Sequence, residues 1–295
     1  DPPCQPPLSP AALKSPNVPA RRTSLKDASM SFSISGKTAI VTGAANGVGL
    51  AIGRHFADRG ANVMFADKDE ERLKKELGSL AESDNIRFFA GDMRQKLAQA
   101  NLLSATLDAF EEVDILVNAC RQVAASDPLN PDDDGVETLL QQNLMTALRM
   151  SQLVARRMIK QAKESRKGTA GAIVNLSSIA ARRTHPDLMA YSISSAALDQ
   201  MTRSLAVALA PHHIRVNAVA FGSVMSGSLK HTLREHEEYR DDIEDHTPLG
   251  RIASATELAE TVQYLASDGA GFMTGQIMTM DGGRTLLDPV AAPAH

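Results

Sequence analysis

Basic charge, cysteine and long apolar runs are all scarce in this chain, and each scarcity removes a class of function. Lys and Arg together number 31 against 35 Asp and Glu, giving a net charge of −4 and a pI near 6.1. Proteins that read nucleic acids carry basic faces, so no nucleic-acid partner is expected. The only cysteines are Cys4, in an N-terminal arm, and Cys120, at the end of an apolar run. They suggest neither a disulfide framework nor a thiolate metal site, and a reducing cytoplasm is the expected compartment. No window approaches the ~18 continuous apolar residues of a membrane-crossing helix, so no membrane partner is expected. His231, His236 and His246 lie in an acidic stretch but hold no metal-ligand spacing with carboxylates on one face, so no metal is expected.

What remains is enough for a substantial fold. With 295 residues, 43% of them hydrophobic, the chain can bury the core of one α/β domain of about 250 residues without a metal or disulfide staple. Residues 1–29 hold seven of the 14 prolines among Ser, Ala and a few charges, with no apolar periodicity, and are expected to form a disordered arm. The arm has no apolar block of secretory length, and its prolines oppose an amphipathic targeting helix, although Arg21, Arg22 and the serines leave organelle import open. Met30 is the expected start of the functional chain, with one domain over 30–286 and a tail over 287–295.

The most informative segment is the apolar run Thr38–Thr42, which ends in Gly43, Gly47 and Gly49 and continues as a helical pattern through Ile52 and Phe56. Glycines let the backbone turn tightly and approach a pyrophosphate, while a helix opening near Val48 presents free N–H groups to the anion. A second strand, Val63–Ala66, leads to Asp67, 18 residues past Gly49. An acidic residue there can accept hydrogen bonds from a ribose diol and repel a 2′-phosphate, which favours NAD over NADP. The absence of a basic residue at Asn46 agrees with this, and Lys68 pulls weakly the other way.

Strand-like and helical segments then alternate. A charged helix over 70–80 precedes strand 86–90, which ends at Gly91, Asp92 and Met93. A helix around 98–110, a strand over 113–118, a long helix over about 136–162, a strand over 172–176, a helix over about 191–210 and a strand over 214–219 follow. A helix over 256–267 and a last strand over 276–280 end the series. Such alternation implies a parallel sheet wrapped by helices on both faces, a doubly wound α/β fold in three layers. The charged stretch 226–248 interrupts the rhythm and is expected to be a solvated helical face, serving as a mobile cap over a pocket.

Taken in order, these motifs resemble the short-chain dehydrogenase/reductase family over roughly residues 34–286. The matches are Thr42 with Gly43, Gly47 and Gly49; Asp92 with Met93; Asn118 at a strand end; Asn143 after Gln142; Ser178 after Ser177; Tyr191 before Ser192; and Arg215 with Asn217. Pro248 to Arg251, Leu265 to Asp268, and Thr274 with Gly275 before Asp281 extend the match. The resemblance implies a Rossmann-type sheet of about seven strands and hydride transfer between a nicotinamide and a small-molecule alcohol or carbonyl compound. Ser178 would hydrogen-bond the substrate oxygen, Tyr191 would exchange its proton, and Asn143 would hold a water feeding a proton relay. Gly43, Asn46, Gly47, Val48, Gly49, Asp67, Asp92, Met93, Asn118, Arg121, Tyr191, Gly222, Val224 and Ser226 would line the cofactor. Homodimers or homotetramers are implied by analogy, with Leu198, Met201, Leu205 and Leu209 as an apolar stripe that would equally serve to face the sheet.

Three positions depart from the family pattern. Where relatives place a Lys four residues after the Tyr, this chain has Ser195. A phenol with pKa around 10 is about one part in a thousand ionised at neutral pH, and a neighbouring cation typically lowers such a value by ~1–3 units. Losing the cation therefore removes roughly 10- to 1,000-fold of the basic form, and without a substitute the chain would reduce carbonyls better than it oxidises alcohols. The second departure is Arg121, where relatives carry a glycine. Its guanidinium either blocks the nicotinamide end, making a catalytically impaired nucleotide-binding or scaffold subunit, or restores the missing positive charge, as Arg182 or Arg183 could also do. The third is Phe221 in place of a family Pro, which with Leu188, Met189, Met225 and Leu229 would make the substrate pocket apolar.

Overall fold

In the computed structural model, which describes residues 32–165 and 169–288, the strands and helices read from the sequence form in the expected order. The arm over 1–29 and the final residues of the tail lie outside the described residues. Strand β1 (Thr38–Thr42) leads into α1 (Gly47–Asp58), β2 (Asn62–Asp67) into α2 (Glu70–Leu77), and β3 (Ile86–Ala90) into α3 (Lys96–Phe110). β4 (Ile115–Asn118) is followed by α4 (Gly135–Leu139) and, after one π-helical segment, by α5 (Thr146–Ser165). Next come β5 (Gly171–Ser178), α6 (Met189–Leu209) and β6 (Ile214–Phe221). The remainder is β7 (Val224–Met225), α7 (Gly227–Glu235), α8 (Glu238–Asp245), β8 (Ala253–Ser254), α9 (Ala255–Ala266) and β9 (Ile277–Met280).

Seven of these strands form one sheet in the order β3-β2-β1-β4-β5-β6-β9, every neighbouring pair parallel, while β7 and β8 pair only with each other. Successive strand residues point to opposite faces, so each strand supplies two cores at once. Val41, Val63, Phe65, Val117 and Val174 pack on one face against Ile52 and Phe56 of α1 and Leu258 and Val262 of α9. Ile40, Met64, Leu116, Ile173 and Val216 pack on the other against Leu102 of α3, Met150 and Val154 of α5 and Ala206 of α6. Burial on both faces is why the strands read as nearly continuous apolar runs. The chain order reverses between β1 and β4, and crevices at the carboxyl ends of strands at such a switch point are where doubly wound sheets take ligands.

One local difference from the sequence reading matters for the site. The helix expected over 136–162 is broken by a π-helical segment, Leu140–Met145, which carries the buried Asn143. The widened turn shifts the register of one face, and such turns often mark functional positions. The apolar stripe on α6 is used within the chain: Leu198 and Met201 pack on Ala147, and Leu205 and Leu209 join the α3–α5 core. The charged stretch folds as α7 and α8, whose acidic side chains are largely exposed.

Helix α9, which backs the sheet behind the switch point, is tied at both ends. Ser254 and Glu257 form a reciprocal capping box at its start, and Arg251 grips the Glu257 carboxylate with two bonds of 2.7 and 2.9 Å. At its end, Arg215 donates to the carbonyls of Leu265 (2.7 Å) and Ser267 (2.9 Å). The Arg251 guanidinium, with the Ser254 N–H, holds the Glu257 carboxyl down to about 2. A carboxyl depressed in the folded state contributes stability that is present above its unfolded pKa and lost as pH falls through the folded value. Because both side chains are solvent-accessible, the contribution is small. Glu257→Gln keeps the capping geometry but not the charge: the variant should melt slightly below the wild type at pH 7, and the gap should close between pH ~4.5 and 2 in thermal denaturation.

Candidate functional site

The tightest constraint on the site is the turn between β1 and α1. Gly43 has φ +65°, and a Cβ there would meet the Cys120 backbone at 2.7 Å. A Cβ on Gly49 would lie 2.2 Å from the Gly43 carbonyl oxygen. Asn46 makes no side-chain cap hydrogen bond to α1, so the orphan N–H groups of the first helical turn stay directed at the crevice. Around this turn opens a cavity of about 550 Å³, lined by Gly43, Asn46, Gly47, Val48, Gly49, Asp67, Asp92, Met93, Arg121 and Ser226 among the residues expected from the sequence. It is also lined by Lys68, weighed above in the choice between NAD and NADP, and by Gly91, Ala119, Cys120, Gln122, Val123 and Gln142, which were not expected as site residues. Nothing in their residue types marked them: Gly91 and residues 119–123 follow the ends of β3 and β4, and Gln142 lies in the π-helical segment.

Two carboxylates, Asp67 and Asp92, stand in the cavity wall. Asp67 ends β2, its carboxylate accepting from the backbone N–H of Ala45 and of Asp69, each at 3.1 Å. Arg94 holds the Asp92 carboxylate with bonds of 2.6 to 3.0 Å and keeps its pKa below the usual carboxylate range. Cys120 is a neutral thiol: burial, with Asp67 nearby, pushes it up to about 11 against the opposing hydrogen bond from Gln142 at 3.0 Å. These residues fit an adenosine diphosphate, with glycine backbone for the phosphates and a carboxylate for the ribose diol.

Of the residues expected to do chemistry, Asn143, Tyr191 and Ser195 line one small chamber, and Ser178 lines neither that chamber nor the large cavity. Asn143, Ser178, Tyr191 and Ser195 are between 5 and 7% exposed. Tyr191 and Ser195, one turn apart on α6, line a chamber of about 10 Å³ with Asn118, Cys120, Arg121, Asn143, Leu176 and Leu198. Arg121 is the only charged group among them. Its guanidinium donates to the Tyr191 hydroxyl oxygen at 2.5 Å and lies 4.3 Å from the centroid of the Phe221 ring. Arg182 and Arg183 point elsewhere, to the Thr279 hydroxyl at 3.1 Å and to the Thr285 carbonyl. Phe221, read from the sequence as a pocket wall, is thus the platform on which the guanidinium rests.

Other predicted residues have structural engagements. The Asn143 amide donates to the Gln122 carbonyl (2.9 Å) and to Ser194 Oγ (3.2 Å) and accepts from the Gln122 N–H (2.8 Å), which pins the segment following Arg121. Asn118 donates to Ser151 Oγ at 3.0 Å and Asn175 Oδ1 at 2.8 Å, inside the sheet rather than toward the large cavity. Ser178 Oγ accepts from the Ala180 N–H at 3.1 Å. Gly222 and Val224 do not line the large cavity, whereas Ser226, the N-cap of α7, does. Among the described residues no three His, Cys, Asp or Glu side chains come together as metal ligands, and no helix is long and apolar enough to cross a membrane.

Residues 43–285 match the family model described as enoyl-(acyl carrier protein) reductase. The chain is 32% identical over 257 residues to a galactitol 2-dehydrogenase (L-tagatose-forming) of Cereibacter sphaeroides, a match covering 86% of this chain and 97% of that one. It is likewise 32% identical over 254 residues to an L-rhamnose 1-dehydrogenase (NAD(P)(+)) of a Sphingomonas species, covering 85% and 96% respectively. The crystal structure of a short-chain type dehydrogenase/reductase from Mycobacterium marinum superposes with a TM-score of 0.76 at 27% identity, covering 87% of this chain and 98% of that one.

A substitution in the turn tests the cleft. Gly49→Ala should destabilise the protein by about 1–3 kcal/mol through the clash with the Gly43 carbonyl. By the same displacement it should weaken dinucleotide binding at least tenfold in calorimetry.

Proposed function

The chain belongs to the short-chain dehydrogenase/reductase family, whose oxidoreductases use NAD(P), and from that premise we propose an NAD-dependent enzyme that interconverts an alcohol and a carbonyl compound. In this reading Tyr191 is the proton donor and acceptor, Ser178 binds the substrate oxygen, and Arg121 supplies the positive charge that Ser195 cannot. The observation that carries it is the 2.5 Å hydrogen bond from the Arg121 guanidinium to the Tyr191 hydroxyl.

The bound nicotinamide would take or give the hydride. The protein's part is electrostatic and geometric. A guanidinium one hydrogen bond from the phenol oxygen attracts negative charge there, which assists Tyr191 as a base in alcohol oxidation more than as an acid in carbonyl reduction. Ser178 accepts from a backbone N–H, which orients its hydroxyl so that its proton can be given to the substrate oxygen. Burial of the group strengthens each of these interactions by lowering the local dielectric.

Three features support NAD over NADP. Asp67 would oppose a 2′-phosphate, position 46 is Asn, and Arg94 is engaged by Asp92. Lys68 in the cavity lining works against this preference. The substrate panel should include polyols and aldoses, on which the named relatives act, beside apolar ketones.

A catalytically silent nucleotide-binding subunit is the second reading. It is favoured by the position of Arg121 on the walls of both the cleft and the Tyr191 chamber.

Turnover separates the two. Under the first reading, Tyr191→Phe should cut kcat about 10²- to 10⁴-fold. Arg121→Gln should slow alcohol oxidation roughly 10- to 1,000-fold while slowing carbonyl reduction less. Absence of turnover across the panel, with dinucleotide binding intact, would establish the second. For the cofactor, Asp67→Asn should narrow the ratio of NADP to NAD dissociation constants about tenfold, read by fluorescence titration.

A further inference from the structure

The dinucleotide cleft and the residues proposed for chemistry do not share a cavity. Arg121, with Cys120, lines both the cleft of about 550 Å³ and the chamber of about 10 Å³ that holds Tyr191 and Ser195. A space of that size accommodates about one water and no aromatic ring. Arg121 is held across this boundary by its hydrogen bond to Tyr191 and by its stack on Phe221 at 4.3 Å.

We propose that the cleft so closed is a selective site for adenosine-diphosphate nucleotides lacking the nicotinamide, such as ADP-ribose, and that Arg121 is the residue that discriminates them from NAD⁺. The inference rests on the cofactor-cleft part of the reading above, not on turnover.

Two physical arguments converge. The first is steric: Asp67, the glycine turn and the α1 N-terminus line the cavity, whereas Tyr191 and Ser195 do not, and Arg121 stands in the wall between them. The second is electrostatic. Among the described residues no carboxylate pairs with Arg121, and its recorded hydrogen bond is the one to Tyr191. A cation with N–H groups to spare attracts a diphosphate and repels the positively charged pyridinium of NAD⁺.

Admitting the ring requires the guanidinium to leave the Phe221 face, while pivoting about its bond to the phenol keeps the charge that Tyr191 needs. Loss of a half-buried cation–π stack corresponds to roughly 3- to 30-fold in a dissociation constant. ADP-ribose does not incur that loss.

The test is calorimetric titration of the full chain with ADP-ribose and with NAD⁺, for the wild type, Arg121→Gly and Arg121→Lys. The wild type should bind ADP-ribose roughly 3- to 30-fold more tightly than NAD⁺. Arg121→Gly should bring the two to parity or reverse their order. Arg121→Lys, which keeps the charge and loses the planar stack, should give a ratio in between. Equal or tighter binding of NAD⁺ by the wild type overturns the proposal, as does a preference for ADP-ribose that survives unchanged in both variants. Equal affinities together with turnover would sink this inference alone and leave the Tyr191 chemistry standing, whereas no binding of either nucleotide would remove the cofactor reading as well.

Discussion

The hydrogen bond between the Arg121 guanidinium and the Tyr191 hydroxyl is the constraint on which the rest of the site depends. It brings a positive charge to a phenol whose helix offers only Ser195 one turn later. It also places a bulky planar group at the boundary between the nucleotide cleft and the chamber around the phenol. Both consequences come from the same few atoms. A compact cation reaching Tyr191 from α6 would leave the crevice open. A guanidinium reaching it from the end of β4 must cross the crevice first.

The fold makes that crossing possible. The β1–β4 switch point brings the backbone after β4 against Gly43, close enough that no Cβ fits between them, so the residues after Asn118 run along the rim of the pyrophosphate turn. Two residues beyond Ala119 the chain reaches Arg121, and Asn143 clamps both backbone groups of Gln122 from the π-helical segment between α4 and α5. Phe221 at the end of β6 completes the support as a flat surface beneath the guanidinium. Three elements distant in sequence thus fix one side chain. Its two noncovalent holds, a hydrogen bond and a stack, are each weak enough to be exchanged on ligand binding.

Much of this was legible beforehand. The seven strands, the doubly wound sheet and the three-glycine turn follow from short-range patterns: apolar runs of strand length, helical periodicity and glycines where a Cβ would collide. Asp67 was recognisable because it ends β2, where a parallel sheet presents groups to a ligand, and Asp92 and Met93, two and three residues past β3, because they match the family pattern. The π-helical segment was not visible, since Leu140–Met145 has the composition of ordinary helix and only the packing of Asn143 toward Gln122 and Ser194 distinguishes it. The water-holding role expected of Asn143 meets an amide already bonded at both ends to protein. The linings supplied by Gln122, Gln142 and Cys120 carried no local signal either, because a side chain's exposure to a cleft depends on what lies across from it.

Sequence alone determined the class of fold, the family and the fact of an anomaly: an uncharged Ser195 where a cation belongs and an Arg121 where backbone should pass unobstructed. It could not say whether the two were related. That is a question of which long side chain among Arg121, Arg182 and Arg183 reaches the phenol, and reach is set by distances between segments far apart in the chain. Tertiary structure decided it by pairing Arg182 and Arg183 with groups near the end of the domain and laying Arg121 on Phe221, with its tip at the Tyr191 oxygen.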